Sequence, residues 1–327
     1  MMRVGIVAQL DTSALCRLPR LFHDAGYEVW LIGPASLTGM RSRFVHQRIS
    51  STTITGKPDL IVPADEPSSR AFALEPVQFL LDAVEAGIRM PACELCDSFE
   101  AALDAAQILG FPVFLKPGGY AGSPAEIKAL NPAPPVLVQK HHGDCGSIAL
   151  FYEQGEARCW FGYLNRGAAI EVFSHPDLDK TVERAGRLLK FTGLCHIEFT
   201  FNRDRDEVSL ASFNPWPDPC CHLGRLAGVD FALALRHWAD ANETGAHETQ
   251  VPLALSRNAA VLFPEGLGDA SQFVPCLRSA PWSDPALVFA ELMNHRRLSA
   301  SSSSRLRGQS DPSSRDRPRS ASTLPPV

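Results

Sequence analysis

The run Gly193-Leu194-Cys195-His196-Ile197-Glu198-Phe199, followed after a charged turn by Leu210-Ala211-Ser212-Phe213-Asn214-Pro215-Trp216, limits what this chain can fold into more than any other segment. Apolar residues at Cys195, Ile197, Phe199 and Phe201 alternate with other residues, the period of a half-buried strand. The intervening Asn202-Arg203-Asp204-Arg205-Asp206-Glu207 is too charged to be buried, so the two runs read as a β-hairpin. The alternation sets Glu198 on the face opposite the apolar residues. One strand carries Glu198 near its end and the other Asn214. A hard cation such as Mg²⁺ takes oxygen ligands, usually one or two carboxylates together with nucleotide phosphates. This hairpin offers one carboxylate and one amide oxygen. Ser212 stands where a second carboxylate would serve.

Upstream, Arg3 to Gln9 reads as an apolar strand. A helix over 12–25 follows, capped by Thr12 or Ser13 and stopped by Gly26, and then strands at 28–33 and 59–63. Strand, helix and strand with short joints predict a small parallel α/β domain. Ligands of such sheets gather beyond the carboxyl ends of the strands. Asp11 and Asp65-Glu66 lie there, and they also read as helix caps and solvated loop charges. Helices are predicted at 77–86 and 100–109, and strands at 112–116, 136–140, 147–152 and 158–163. A helix over 176–190 has Asp177 near its start and Lys190 near its end, which suits the helix dipole. Gly224 to Asp240 reads as helical, and 251–297 as irregular with a helix near 285–294. From Ser299 onward Ser, Arg and Pro dominate; such a stretch buries too little to offset its ordering entropy, and 299–327 reads as a disordered tail.

A chain of 327 residues has room for two or three compact units. A net charge of −5 excludes a broad basic field, so no nucleic-acid partner is expected. No apolar run reaches the roughly 18 residues a membrane span needs, and Met1 to Val7 is too short and strand-like for a signal peptide. The nine cysteines are odd in number, and several lie inside strand patterns, which fits reduced thiols in the cytoplasm. Cys93-x-x-Cys96 lacks a second Cys or His pair at zinc spacing and reads as two ordinary thiols in a loop. Cys220-Cys221-His222 likewise reads as core and loop.

The hairpin resembles the metal-binding end of the ATP-grasp superfamily, whose pattern is a strand ending in Glu-Phe, an acidic turn, and a strand ending in Glu-x-Asn-Pro-Arg. Other segments agree in order. Phe111-Pro112-Val113-Phe114-Leu115-Lys116-Pro117 resembles the strand whose Lys touches nucleotide phosphates. Gly118-Gly119-Tyr120-Ala121-Gly122 resembles the glycine-rich lid. Val136-Leu137-Val138-Gln139-Lys140 resembles the hinge strand of the adenine pocket, and Gly143-Asp144 the Gly-acid step beyond it. Leu226-Ala227-Gly228-Val229-Asp230-Phe231 resembles a helix start of the family. The likeness spans roughly residues 3 to 297 and is nearest to a bacterial carboxylate–amine ligase-like branch.

The resemblance implies an α/β fold that becomes α+β in its second half. A pre-ATP-grasp domain covers 1–75, and a small subdomain with the Lys strand and lid covers 76–140. A subdomain with the metal hairpin covers 141–250, an extension 251–298, and the tail 299–327. It implies ATP at Lys116, Gly118, Gly119, Gly122, Gln139, Lys140, His141 and Asp144. Mg²⁺, or Mn²⁺ in its place, would sit at Glu198 and Asn214. It implies ATP-dependent ligation of a carboxylate to an amine through an acyl phosphate, with small-molecule substrates; a homo-oligomer is left open. Three charges expected at the phosphate site are missing: Ser212 replaces Glu, Trp216 replaces Arg, and the helix at 77–86 has no Lys. The stretch from Lys116 to Gln139, with Asn131-Pro132-Ala133-Pro134-Pro135, is also short for a lid and its following helix. A catalytically silent nucleotide- or partner-binding module is therefore the competing expectation.

Overall fold

A computed structural model describes residues 1–50, 56–69, 76–116, 119–244, 259–268 and 271–295. The 299–327 segment and Gly118 lie outside these residues. The first sheet is parallel throughout, in the order β3 (Gln47–Ile49), β2 (Glu28–Ile32), β1 (Arg3–Val7), β4 (Leu60–Pro63). Helix α1 (Ser13–Asp24) is capped by Thr12, whose side chain accepts from the Leu15 amide at 3.2 Å. The strand-end carboxylates serve the loops. Asp65 accepts from the amides of Gln9 and Leu10 at 2.6 and 2.7 Å and from that of Ser68 at 2.9 Å, in α2 (Glu66–Ser69). Asp11 accepts from the Thr38 amide at 2.9 Å.

Helix α3 (Pro76–Glu85) leads into a four-stranded antiparallel sheet, in the order β5 (Cys93–Cys96), β8 (Val136–Lys140), β6 (Val113–Lys116), β7 (Gly119–Ala121). Its Val113, Leu115, Val136 and Val138 face α4 (Phe99–Leu109) and α5 (Pro124–Leu130) across a dedicated core. Two expectations are corrected here. The segment read as a loop with two thiols is strand β5, and the alternation sends Cys93 and Cys96 to opposite faces. The short stretch after Lys116 still holds a strand and a helix, because Ser123 caps α5 immediately and Asn131 ends it in the left-handed region.

The third sheet has six antiparallel strands, in the order β13 (Glu207–Asn214), β12 (Gly193–Asn202), β9 (Asp144–Glu153), β10 (Glu156–Arg166), β11 (Ala169–Phe173), β14 (Ala259–Val261). One face packs on α6 (Pro176–Leu189) and α3, burying Cys195, Ile197, Phe199, Leu210 and Phe213. The cap of α6 is His175, whose Nδ1 accepts from the Asp177 amide at 3.1 Å. The other face contributes Ala149, Phe151, Phe161, Tyr163 and Leu194 to a core shared with the first sheet, α1 and α7 (Phe231–Thr244). The helix expected over 224–240 is broken in two: a 3-10 helix over Cys221–Ala227 stops at Gly228, at φ 74°, before α7 begins. Helices α8 (Phe273–Ser279) and α9 (285–295) complete the described chain. Among the described residues, no helix is long and apolar enough to cross a membrane.

Candidate nucleotide and cation site

Strand register assembles the site. Two rungs cross the six-stranded sheet on the face away from α6. Tyr163 opposes Ser147, Ser147 opposes Glu198, and Glu198 opposes Ser212. On the next rung Phe161, Ala149, His196 and Asn214 oppose one another in turn. The hairpin expected from the sequence is present, with Glu198 on the face opposite Cys195, Ile197 and Phe199. Its turn is closed by Asn202, whose Oδ1 accepts from the Asp204 and Arg205 amides at 3.0 and 3.2 Å.

The polar groups of the two rungs form one directed chain. His196 Nδ1 lies 3.0 Å from the Trp216 carbonyl oxygen, which can only accept, so Nδ1 carries the proton. Nε2 then presents a lone pair and accepts from Asn214 Nδ2 at 2.8 Å. The second Nδ2 hydrogen reaches Ser212 Oγ at 3.3 Å. Ser212 in turn donates to Glu198 Oε2 at 2.5 Å, the short distance of a hydroxyl bonded to a carboxylate. His196 and Ser212 are 7% and 6% exposed, whereas the Glu198 side chain is open to solvent. The Trp216 ring packs edge-on against His196 at 5.7 Å.

Opposite this face stands the four-stranded sheet, and a cavity of about 320 Å³ lies between the two. Phe114 and Lys116 of β6 form one wall; Ser147, Tyr163, His196 and Glu198 belong to the other. Lys116 reaches across and donates to the carbonyl of Ala211, next to Ser212. Burial lowers its ammonium to a pKa of about 8, with Glu198 and Cys93 opposing the shift. Gln139 opposes Phe114 in register and shares its sheet face. It is 1% exposed, yet neither its Oε1 nor its Nε2 has a partner. A buried amide left this way costs free energy until a polar ligand meets it. Phe114, Tyr120 and His141 form an aromatic trio with centroids 5.0 to 5.7 Å apart, and burial lowers the His141 pKa.

The remaining expected residues are placed as follows. Gly119 has φ 131° and open space about its α-carbon. The Gly122 amide donates to Glu126 Oε2 at 2.7 Å. Lys140 points to the helix-covered face, where its ammonium donates to the Gly110 and Phe111 carbonyls at 2.7 and 3.3 Å. Asp144 pairs with Arg203 at 2.7 Å and Arg166 at 3.1 Å. Burial raises its pKa, but the two guanidinium groups outweigh this and hold it below the usual carboxylate range.

Ser147, Tyr163, His196 and Asp218 were not anticipated. Asp218 is 1% exposed at the cavity wall and accepts from Ser147 Oγ at 2.7 Å, Tyr163 OH at 2.9 Å and the Cys220 amide at 2.7 Å. Its one sequence signal is a carboxylate fixed between Pro217 and Pro219, just past the Asn-Pro step. Burial and the Asp218 charge together hold the Tyr163 hydroxyl well above its usual pKa.

The residues present fit a nucleotide and one hard cation. Gln139 is an orphaned buried amide, Lys116 a cation inside the cavity, and Glu198 and the Asn214 Oδ1 are oxygen donors on neighbouring strands. Among the described residues, no three His, Cys, Asp or Glu side chains cluster as a metal set.

No family model and no curated protein matches the sequence. Solved structures do match the fold. N5-carboxyaminoimidazole synthetase from Staphylococcus aureus, complexed with ADP, superposes with TM-score 0.56 at 12% identity, over 85% of this chain and 98% of that one. The N5-carboxyaminoimidazole synthase of Aspergillus clavatus, with ADP and 5-aminoimidazole ribonucleotide, gives 0.54 at 13% identity, over 73% and 77% of the two chains. L-amino acid ligase from Bacillus licheniformis gives 0.51 at 13%, over 72% and 74%. At such identities the likeness is one of fold: the chain has the ATP-grasp architecture, a parallel N-terminal sheet followed by two antiparallel sheets facing one another.

Proposed function

We propose that this protein binds ATP in the cavity between the two antiparallel sheets and uses it to join a carboxylate to an amine or similar nucleophile. The observation that carries this is the convergence of Lys116 and Glu198 on one cavity, with Asn214 on the strand paired to that of Glu198 and the unpartnered Gln139 amide opposite Phe114 of the cavity wall. Gln139 and the aromatic trio suit the base. Lys116 suits phosphate oxygens, and Glu198 with Asn214 suits Mg²⁺, or Mn²⁺ in its place. The cation, when bound, neutralises phosphate charge as the terminal phosphoryl group moves. The substrate carboxylate oxygen attacks that phosphorus and ADP leaves; the amine nitrogen then attacks the acyl carbon and phosphate leaves. Structures of like fold carry ADP, which supports the nucleotide half of the reading.

A second reading is favoured by the loss of charge at 212 and 216. The Ser212 hydroxyl cannot bridge two ions. The Trp216 ring packs on His196 where a guanidinium would neutralise transferring phosphate. On this reading the chain binds nucleotide without turning it over. Calorimetric titration with ATP, with and without Mg²⁺, tests binding. Release of ADP and phosphate against a panel of carboxylates and amines separates the two readings: turnover with one pair supports the ligase, and tight binding with none supports the silent module. Failure to bind ATP under either condition overturns both.

A further inference from the structure

We propose that a second cavity, walled off from the candidate nucleotide site, binds a small carboxylate with an apolar body. This does not depend on the nucleotide reading. The cavity measures about 250 Å³ and lies among α1, the 3-10 helix over Cys221–Ala227, the start of α7 and the turn between α8 and α9. Residues 218–222 stand between the two spaces. Asp218 and Pro219 line the first cavity, Cys221 and His222 the second, and His222 Nδ1 donates to the Pro219 carbonyl at 3.1 Å. The second cavity follows α1 to its last residue, Asp24. None of the described residues just past Val7, Ile32 or Pro63 lines it, so it is not the ligand position at the carboxyl ends of the first sheet.

The unspent hydrogen-bonding capacity of this cavity is on its cations. Its carboxylates are committed. Asp284, 1% exposed, accepts from Ser42 Oγ at 2.6 Å and the Arg43 amide at 3.0 Å. Asp230 accepts from Nε and Nη2 of Arg225 at 2.9 and 2.8 Å and from the Leu233 amide at 3.1 Å. Asp24 pairs with Arg20 at 3.4 Å. A guanidinium carries five N–H donors. Arg225 turns its Nε and Nη2 to Asp230, and Arg20 pairs through Nε. Arg278, at the end of α8, is exposed and has no partner among the described residues. The Arg20 and Arg225 pairs are local and solvent-exposed, so each is weak and leaves donors for a ligand.

Three underused guanidinium groups on three elements fit an anion, and their planar forks match a carboxylate. The rest of the lining is apolar and buried, with Leu21, Phe44, Phe231 and Leu287. A hydrocarbon body would displace water from that surface, and an inorganic anion would leave it wet. The volume equals that of roughly eight waters, which suits a short-chain acid and excludes a nucleotide.

Calorimetry on the full chain with straight-chain carboxylates from acetate to hexanoate tests this, with sulfate and hexan-1-ol as controls and ATP titrated separately. Affinity should rise by up to about fourfold per methylene, the worth of one buried CH₂. Sulfate and the alcohol should bind about tenfold or more weakly than hexanoate. Arg278→Ala, at an exposed and unpaired side chain, should weaken hexanoate about tenfold and leave ATP affinity unchanged. Arg225→Ala should do the same, and Arg278→Lys, which keeps the charge without the fork, should fall between. No carboxylate binding, affinity independent of chain length, sulfate as tight as hexanoate, or full hexanoate affinity in both alanine variants would each overturn the proposal. Competition between hexanoate and ATP would put the carboxylate in the first cavity and overturn it as well. Arginine-dependent hexanoate binding by a chain that binds no ATP would keep this site and remove the nucleotide reading instead.

Discussion

If ATP binds at Lys116 as proposed, its affinity should depend on pH in a range where an ordinary lysine is inert. Its pKa is lowered to about 8 because burial penalises the ammonium more than Glu198 and Cys93 relieve it. The sign follows from that direction. The group is protonated below pH 8 and releases its proton as pH rises through 8, well before an exposed lysine would near 10.4. Roughly nine-tenths of the free sites carry the charge at pH 7 and about one-tenth at pH 9, so a phosphate-reading lysine should lose about tenfold in ATP affinity across that interval. ATP's own phosphates are already ionised there. A charge-assisted hydrogen bond contributes about 1.5–3 kcal/mol, so Lys116→Met should weaken ATP roughly 10- to 150-fold at pH 7 and flatten the pH profile. Adenosine, which has no phosphate, should bind both proteins alike at both pH values. Calorimetry at pH 7, 8 and 9 with fixed Mg²⁺ measures all of this. An ATP affinity that does not vary with pH, or equal losses for ATP and adenosine, would refute the phosphate role and leave Lys116 as a strut between the sheets through its Ala211 bond.

Three further outcomes are expected. In Ser212→Glu a carboxylate replaces a hydroxyl 2.5 Å from Glu198, and two like charges near 4 Å repel by roughly 1–4 kcal/mol between the water and surface dielectric limits; Tm should fall several degrees without Mg²⁺ and recover with it, and a metal-independent Tm would count against this. Adding Trp216→Arg should tighten the Mg²⁺-dependent part of ATP binding about tenfold, unless the native chain already turns over at ordinary rates of about 1–10³ s⁻¹. Asp218→Ala leaves the hydroxyls of Ser147 and Tyr163 and the Cys220 amide without an acceptor, so urea unfolding should show a loss of about 2–5 kcal/mol, and a loss below 1 would mean water replaces the carboxylate. Deleting 299–327 should shift Tm by less than about 2 °C, since that Ser, Arg and Pro composition has no apolar periodicity to pack.

What was legible in the sequence was whatever one strand carries alone. Alternation about Glu198 gave its face, the glycine and charged-residue breaks gave the hairpin, and the order of apolar runs gave the parallel first sheet. Elements without their own periodicity were missed. Strand β3, Gln47–Ile49, has two exposed residues out of three, and β5, Cys93-Glu94-Leu95-Cys96, has no apolar alternation; each is a strand because a neighbour supplies its hydrogen bonds. The break at Gly228 was masked by apolar residues on both sides, which look continuous to a helical period.

The site residues divide along the same physical line. Glu198 and Asn214 could be put forward as candidates because local pattern places both on the hairpin strands. Lys140 belonged to the expected adenine strand, but strand alternation beside Gln139 turns it to the helix-covered face, where two carbonyls hold it. Ser147, Tyr163 and Asp218 carry no motif, and their relation to Glu198 is created by register across three strands separated by up to 51 positions in the Glu198–Ser147 pair. A one-residue slip in either ladder would send Ser147 or Tyr163 to the α6 face and take that hydroxyl from the buried Asp218. That cost makes the register of β9 and β10 part of the candidate site itself: the buried Asp218 carboxylate is best satisfied in the alignment that also sets Ser147 beside Glu198, so the network that holds the cavity wall and the placement of Glu198 are folded by the same choice.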